Sequence, residues 1–184
     1  MFETTSIKDL FTFKPKVFKD SRGYLFESYN TNSFQQQGLN YKFVQDNRSY
    51  STKGTLRGLH FQKNVSAQAK LVTVLRGHVF DVAVDLRPSS ETFGKWFGIH
   101  LNGSDPQFVI IPRGFAHGFL VLSDEADFFY KVDNLYAPEG ESGIRFDDPD
   151  LKIKWPIDGL NILISEKDLA LPSFANFKNN QGSK

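Results

Sequence analysis

A chain of 184 residues with 22 Lys and Arg against 21 Asp and Glu fits one domain, and its net charge of +1 offers no basic surface for nucleic acid. The absence of cysteine removes disulfides, thiolate metal ligands and a thiol nucleophile together. Nineteen Phe and six Tyr against a single Met favour pleated, half-buried surfaces, hence a β-rich core.

Met1-Phe2-Glu3-Thr4-Thr5 lacks a signal-peptide pattern, and no apolar run approaches the roughly 18 residues of a membrane span. The cytoplasm is the expected location, with neither nucleic acid nor membrane as a partner. Asp20-Ser21-Arg22-Gly23 reads as a turn into a strand at Tyr24–Tyr29, and Thr31–Gly38 alone has helical character. Strands are predicted at Phe43–Tyr50, Lys70–Leu75, His78–Leu86, Lys95–Leu101, Phe108–Ile111, Phe119–Leu122 and Ala126–Tyr136, and Leu56–Gln62 has strand character. Arg76-Gly77 and Asn102-Gly103 supply turns.

The alternation is clearest over His78–Leu86. His78, Phe80, Val82, Val84 and Leu86 share one apolar face, while Val79, Asp81, Ala83 and Asp85 share the other. No repeat or linker interrupts the chain, which reads as one domain over 1–184 with a flexible polar tail at 176–184. Nine or so short strands point to an antiparallel β-sandwich or small barrel with few helices.

Leu56-Arg57-Gly58-Leu59-His60-Phe61-Gln62, followed by Lys70, carries the chemistry. Histidines accept protons near neutral pH, and an ammonium in a water-poor pocket stabilises an oxyanion. Together they suit removal of a proton next to a carbonyl. A lone His60 would read as structural. Arg57, able to hold a phosphate oxygen pair in a fork, and the polar Gln45-Asp46-Asn47 move the reading towards a site. Tyr130 taken alone is a core aromatic, and Asp81, Asp85, Glu141 and Asp168 taken singly read as solvated carboxylates. A histidine base also needs an orienting acceptor on its other nitrogen.

Ile111-Pro112-Arg113-Gly114-Phe115-Ala116-His117-Gly118 is a tight turn delivering a histidine onto a strand, similar to the second sequence motif of cupins. The first cupin motif needs H-x-H and a following carboxylate, whereas His60-Phe61-Gln62 offers one histidine. His78 and His100 stand in strand contexts with no ligand partner at useful spacing. The metal ligand set is incomplete, so neither metal nor cofactor is expected.

Taken in order, these segments resemble the dTDP-4-dehydrorhamnose 3,5-epimerase family. The resemblance rests on Asp20-x-Arg22-Gly23 with Phe26-Glu27, Phe43-Val44-Gln45-Asp46-Asn47, Leu56–Gln62 and Lys70-Leu71-Val72. It continues through Asp81–Arg87, Ile111–Phe119, Tyr130-Lys131, Tyr136-x-Pro138, Asp147-Asp148-Pro149 and Ser165-Glu166-Lys167-Asp168. It spans about residues 15 to 170. Phe61 and Phe146 depart from the Tyr and Trp common in the family, and both keep an aromatic ring.

The resemblance implies a cupin-type jelly-roll barrel. It places the general base on His60, its partner carboxylate on Asp168, the general acid on Tyr130, and the amine near the C4 carbonyl on Lys70. Arg57 and Lys167 fall with the nucleotide or its phosphates; Gln45, Asp46, Asn47, His117 and Glu141 are further substrate-binding candidates. Arg22 and Glu27 match positions exchanged between subunits through an N-terminal strand, which implies a homodimer. The implied substrate is dTDP-4-dehydro-6-deoxy-D-glucose, whose C3 and C5 hydrogens both flank a ketone. The motifs leave open inversion at C3, at C5 or at both; Tyr130 counts against a ketoisomerase. A non-catalytic sugar-nucleotide-binding β-sandwich and a metal-dependent cupin oxygenase remain as rivals.

Overall fold

The computed structural model describes residues 1–181. In chain order the first elements are β1 (Phe2–Thr4), β2 (Phe11–Phe13), β3 (Val17–Asp20), β4 (Gly23–Phe26) and α1 (Thr31–Gln35). Then come β5 (Gln45–Thr52), β6 (Leu56–Gln62), β7 (Lys70–Arg76), β8 (His78–Asp85) and β9 (Trp96–Asn102). The rest are β10 (Phe108–Ile111), β11 (Phe115–Val121), β12 (Glu125–Val132), β13 (Glu141–Gly143), α2 (Glu166–Leu169) and α3 (Phe174–Gln181). The strands form two antiparallel sheets, β1-β2-β10-β7-β12-β5 and β13-β6-β11-β8-β9, while β3 and β4 pair only with each other.

The sheets face one another. Val72 and Val74 of β7, Val109 and Ile111 of β10, and Ala126 and Phe128 of β12 meet Val79, Ala83, Phe115, Phe119 and Val121 from the second sheet. The second sheet is also covered outside. Phe80, Val82, Val84 and Leu86 pack beneath Ile144, Leu151, Trp155 and Phe174 of the C-terminal segment. The face of β8 that looked half-polar therefore points into the sandwich, and Asp81 and Asp85 are buried there instead of solvated. Asp85 accepts hydrogen bonds from Arg87, Ser90 and Thr92. Desolvation alone would raise its pKa, but these bonds together bring it to about 2.

The aromatic surplus has its own place. Phe34 of α1 lies beneath Phe2, Phe13 and Tyr29 at ring separations of 4.8–5.8 Å, on the outer face of the first sheet. Fully burying such a ring contributes roughly 1.5–3 kcal/mol. Asn30 caps α1 by accepting from the Asn32 and Ser33 amides. The helix stops short of the predicted Gly38, whose positive φ suits a chain reversal.

Several expected boundaries move: the Tyr24–Tyr29 strand ends at Phe26, Phe43–Tyr50 runs instead from Gln45 to Thr52, and Phe119–Leu122 begins at Phe115 and ends at Val121. The Ala126–Tyr136 strand ends at Val132, after which the Asp133 carboxylate accepts from the Ala69 amide and pairs with Arg113. The expected tail from 176 is instead helical through Gln181, because Phe174 and Phe177 pack on the apolar cover of the second sheet. Residues 182–184 of that predicted tail lie outside the described residues.

Candidate active site

His60 projects from β6 beside the helix that carries Asp168. Its Nε2 lies 2.8 Å from Asp168 Oδ1, and the Gly58 amide donates to Asp168 Oδ2 at 3.1 Å. Ser165 caps α2 by accepting from the Asp168 amide, which leaves the Asp168 side chain free to turn towards β6. Gly58 is required here. Its φ is +125°, and a Cβ would meet Gly118 Cα at 2.6 Å where β6 approaches β11. Asp168 is buried, correcting its reading as a solvated carboxylate. With Asp168 as acceptor for Nε2–H, Nδ1 of His60 carries the lone pair.

The opposite wall belongs to the other sheet. Tyr130 of β12 sits cross-strand from Asn47 of β5 and Val72 of β7. His60, Tyr130, Lys70, Arg57, Asn47, His117 and Glu141 line one cavity of about 320 Å³. Desolvation lowers Lys70 to about 8 against the opposing pull of Asp81. Its ammonium lies 5.9 Å from the centre of the Tyr130 ring. Burial raises the Tyr130 phenol, with Arg57 partly offsetting it, so the hydroxyl keeps its proton at neutral pH.

A second pair, His117 Nε2 with Asp81 Oδ2 at 2.8 Å, is buried in the cavity wall. Burial first, then Lys70 and His60, holds His117 below the ordinary histidine range despite Asp81. At the rim, Glu141 accepts from Tyr136 at 2.8 Å and from Lys167 at 2.7 Å. Gln45 donates to Asn47 at 3.0 Å and accepts from the Tyr136 amide. Among the described residues no three His, Cys, Asp or Glu side chains gather as a metal would need. The arrangement offers a base on one wall and a donor on the other, with the Arg57 guanidinium on the strand of His60 and the Lys70 ammonium on the sheet of Tyr130 lining the same cavity.

The family model described as dTDP-4-dehydrorhamnose 3,5-epimerase matches residues 4–176. A relative of that name from Shigella flexneri is 52% identical over 166 residues, covering 90% of this chain and 91% of the relative. The chain belongs to the dTDP-4-dehydrorhamnose 3,5-epimerase family. Solved structures agree in fold. The dTDP-4-dehydrorhamnose 3,5-epimerase of Elizabethkingia anophelis matches with a TM-score of 0.92 at 50% identity, over 96% of this chain and 97% of that one. A dTDP-6-deoxy-D-glucose-3,5-epimerase from Legionella pneumophila, in complex with dTDP-4-keto-L-rhamnose, matches with a TM-score of 0.91 at 46% identity. That match covers 94% of this chain and 92% of the other. The cupin-type sandwich expected from the resemblance is the fold observed.

Not every carried-over residue of the family's site reaches the cavity. Asp46 lies between Gln45 and Asn47 on β5, so strand alternation turns it to the opposite face, where both its oxygens accept from Lys131 at 2.7 and 2.8 Å. Asp46 is therefore no part of this site. Arg22 and Glu27 are exposed and occupied locally, Arg22 with Asp20 at 2.7 Å and Glu27 with Asn30 at 3.0 Å. Gln62, Gln68, Phe119, Phe128 and Tyr136 line the cavity without having been singled out as site residues. For Tyr136 a signal existed, in the Tyr136-x-Pro138 segment leading to Glu141.

Proposed function

We propose that this epimerase inverts C3 and C5 of dTDP-4-dehydro-6-deoxy-D-glucose by proton removal next to the C4 ketone, a step of dTDP-L-rhamnose synthesis. One observation carries the reading: His60 and Tyr130 enter the same cavity from opposite sheets. Inversion at carbon needs that arrangement. The base takes a proton from one face of the sugar ring and the donor returns one to the other.

In this mechanism His60 Nδ1 accepts the C–H proton, and Asp168 fixes the tautomer and stabilises the imidazolium formed. Negative charge moves to the C4 oxygen, where the Lys70 ammonium stabilises it. Tyr130 then protonates the far face of the enolate, and repetition at the second carbon completes the reaction. A positioned acid–base pair contributes about 10²–10⁴-fold and a preorganised oxyanion donor roughly 10²–10³-fold. Arg57, held by a bond to Ser51 at 3.1 Å, supports reading it as a phosphate contact. No residue role in this scheme calls for a cofactor.

The active form in this reading is a homodimer in which the β3–β4 hairpin brings Arg22 and Glu27 to the neighbouring cavity. The hairpin's separation from both sheets and its exposed Phe18, Tyr24 and Leu25 support that reading. Sedimentation at assay concentration should give a dimer, and a fully active monomer would rule it out. No helix among the described residues is long and apolar enough to cross a membrane, and we assign the enzyme to the cytoplasm. The test of the reaction is incubation with the 4-keto sugar nucleotide in D₂O. Deuterium at both C3 and C5 of inverted product is expected; label at one carbon alone would make this a single-site epimerase, and at neither would end the proposal.

A further inference from the structure

His78 and His100 lie 22 residues apart in sequence, where spacing alone gave neither a partner. The β8–β9 ladder pairs His78 with Asn102 and Phe80 with His100, which makes the two histidines diagonal neighbours on one face. His78 Nε2 and His100 Nδ1 are 3.0 Å apart on an exposed part of that face. Phe80 packs against the His100 ring at 5.1 Å, and the His78 backbone is held by Ser123 and Leu122. The His100 ring is thus packed in place, the His78 ring is held through its bond to it, and neither residue lines the catalytic cavity.

We propose that His78 and His100 form a two-imidazole site for a divalent transition metal ion, Cu²⁺ or Ni²⁺. With metal–nitrogen bonds of about 2.0–2.1 Å, a nitrogen separation of 3.0 Å subtends about 94° at the ion. That fits neighbouring positions of a square-planar or tetragonal sphere, the preference of Cu²⁺ and Ni²⁺ with nitrogen ligands. A tetrahedral ion would need the nitrogens roughly 3.3–3.4 Å apart. Binding replaces the shared hydrogen bond by two metal–nitrogen bonds. It requires His78 to carry its proton on Nδ1 and His100 on Nε2, a tautomer exchange with no net proton release from neutral rings. Water fills the remaining positions, since no third His, Cys, Asp or Glu joins the pair among the described residues. The ion clips β8 to β9 outside the reaction cavity, so its occupancy adds stability without entering the epimerase step.

The test titrates the full chain, freed of metal, with CuCl₂ near pH 7.5, following electron paramagnetic resonance and thermal midpoint. One saturable, axial copper signal coupled to two nitrogens is expected, with a midpoint that rises with copper. His78→Ala and His100→Ala should each lose that signal and the midpoint shift. Both should retain epimerase turnover, which checks their fold; His100→Gln replaces any variant that fails that check. Retention of the two-nitrogen signal in either variant, or no saturable uptake by the unaltered chain, would overturn the proposal.

Discussion

Two histidine–aspartate pairs stand on neighbouring strands, His60 with Asp168 and His117 with Asp81, and their central bonds have the same length of 2.8 Å. His60 and His117 are even direct partners in the β6–β11 ladder. Access separates them. The His60 side chain is 35% exposed towards the cavity, whereas His117 is 8% exposed and its aspartate 1%. Asp168 also receives the Gly58 amide, which locks the first pair from behind. An identical hydrogen bond therefore leaves one imidazole open to the cavity, as the proposed base needs, and the other buried in its wall. Bond geometry orients an imidazole; the open nitrogen decides whether it can take a proton from a substrate.

The comparison breaks most sharply at His60. His60→Asn should lower turnover by about 10²–10⁴-fold, the contribution of a positioned base, and should stop deuterium wash-in as well as inversion. Lys70 comes next. Lys70→Met should cost roughly 10²–10³-fold in kcat if the ammonium stabilises the oxyanion. In the unaltered enzyme the charged form is needed and is lost as pH rises through about 8, so kcat/KM should fall above that value. The substrate's phosphates favour the ammonium, so the corresponding fall in kcat should lie at higher pH. A pH profile with no alkaline limb in kcat/KM would remove Lys70 from the reaction. The smallest effect is expected at the buried pair. His117→Asn should lower kcat/KM by roughly 10–150-fold, the loss of a hydrogen bond to a charged group, with the labelled carbons unchanged. Loss of exchange as complete as in His60→Asn would mean that the two pairs share the base role.

How much of this was legible follows from the range of each interaction. Strand periodicity and the Leu56–Gln62 and Pro112–His117 segments lie within a few residues, and the sequence reading located the strands and turn that hold His60 and His117. Face assignment was already within reach for Asp46, since period two separates it from Gln45 and Asn47. What covers a face was not. Asp81 and Asp85 looked solvated because nothing local says that the C-terminal segment packs over the far side of β8. Register was hidden too, and it is register that joins His78 to His100. The helix at Phe174–Gln181 was missed because its few apolar residues acquire a partner only in the folded chain.

If base and acid act from opposite walls, Tyr130→Phe should separate proton removal from inversion. This change keeps the ring and its packing but removes the donor on the far face. Solvent deuterium wash-in and inversion should be measured together in D₂O for this variant. His60 should still abstract the proton and the enolate should be reprotonated from the side it left, so wash-in should outpace inversion. Wash-in and inversion falling in equal proportion would contradict the account, because Tyr130 would then be needed for proton removal itself.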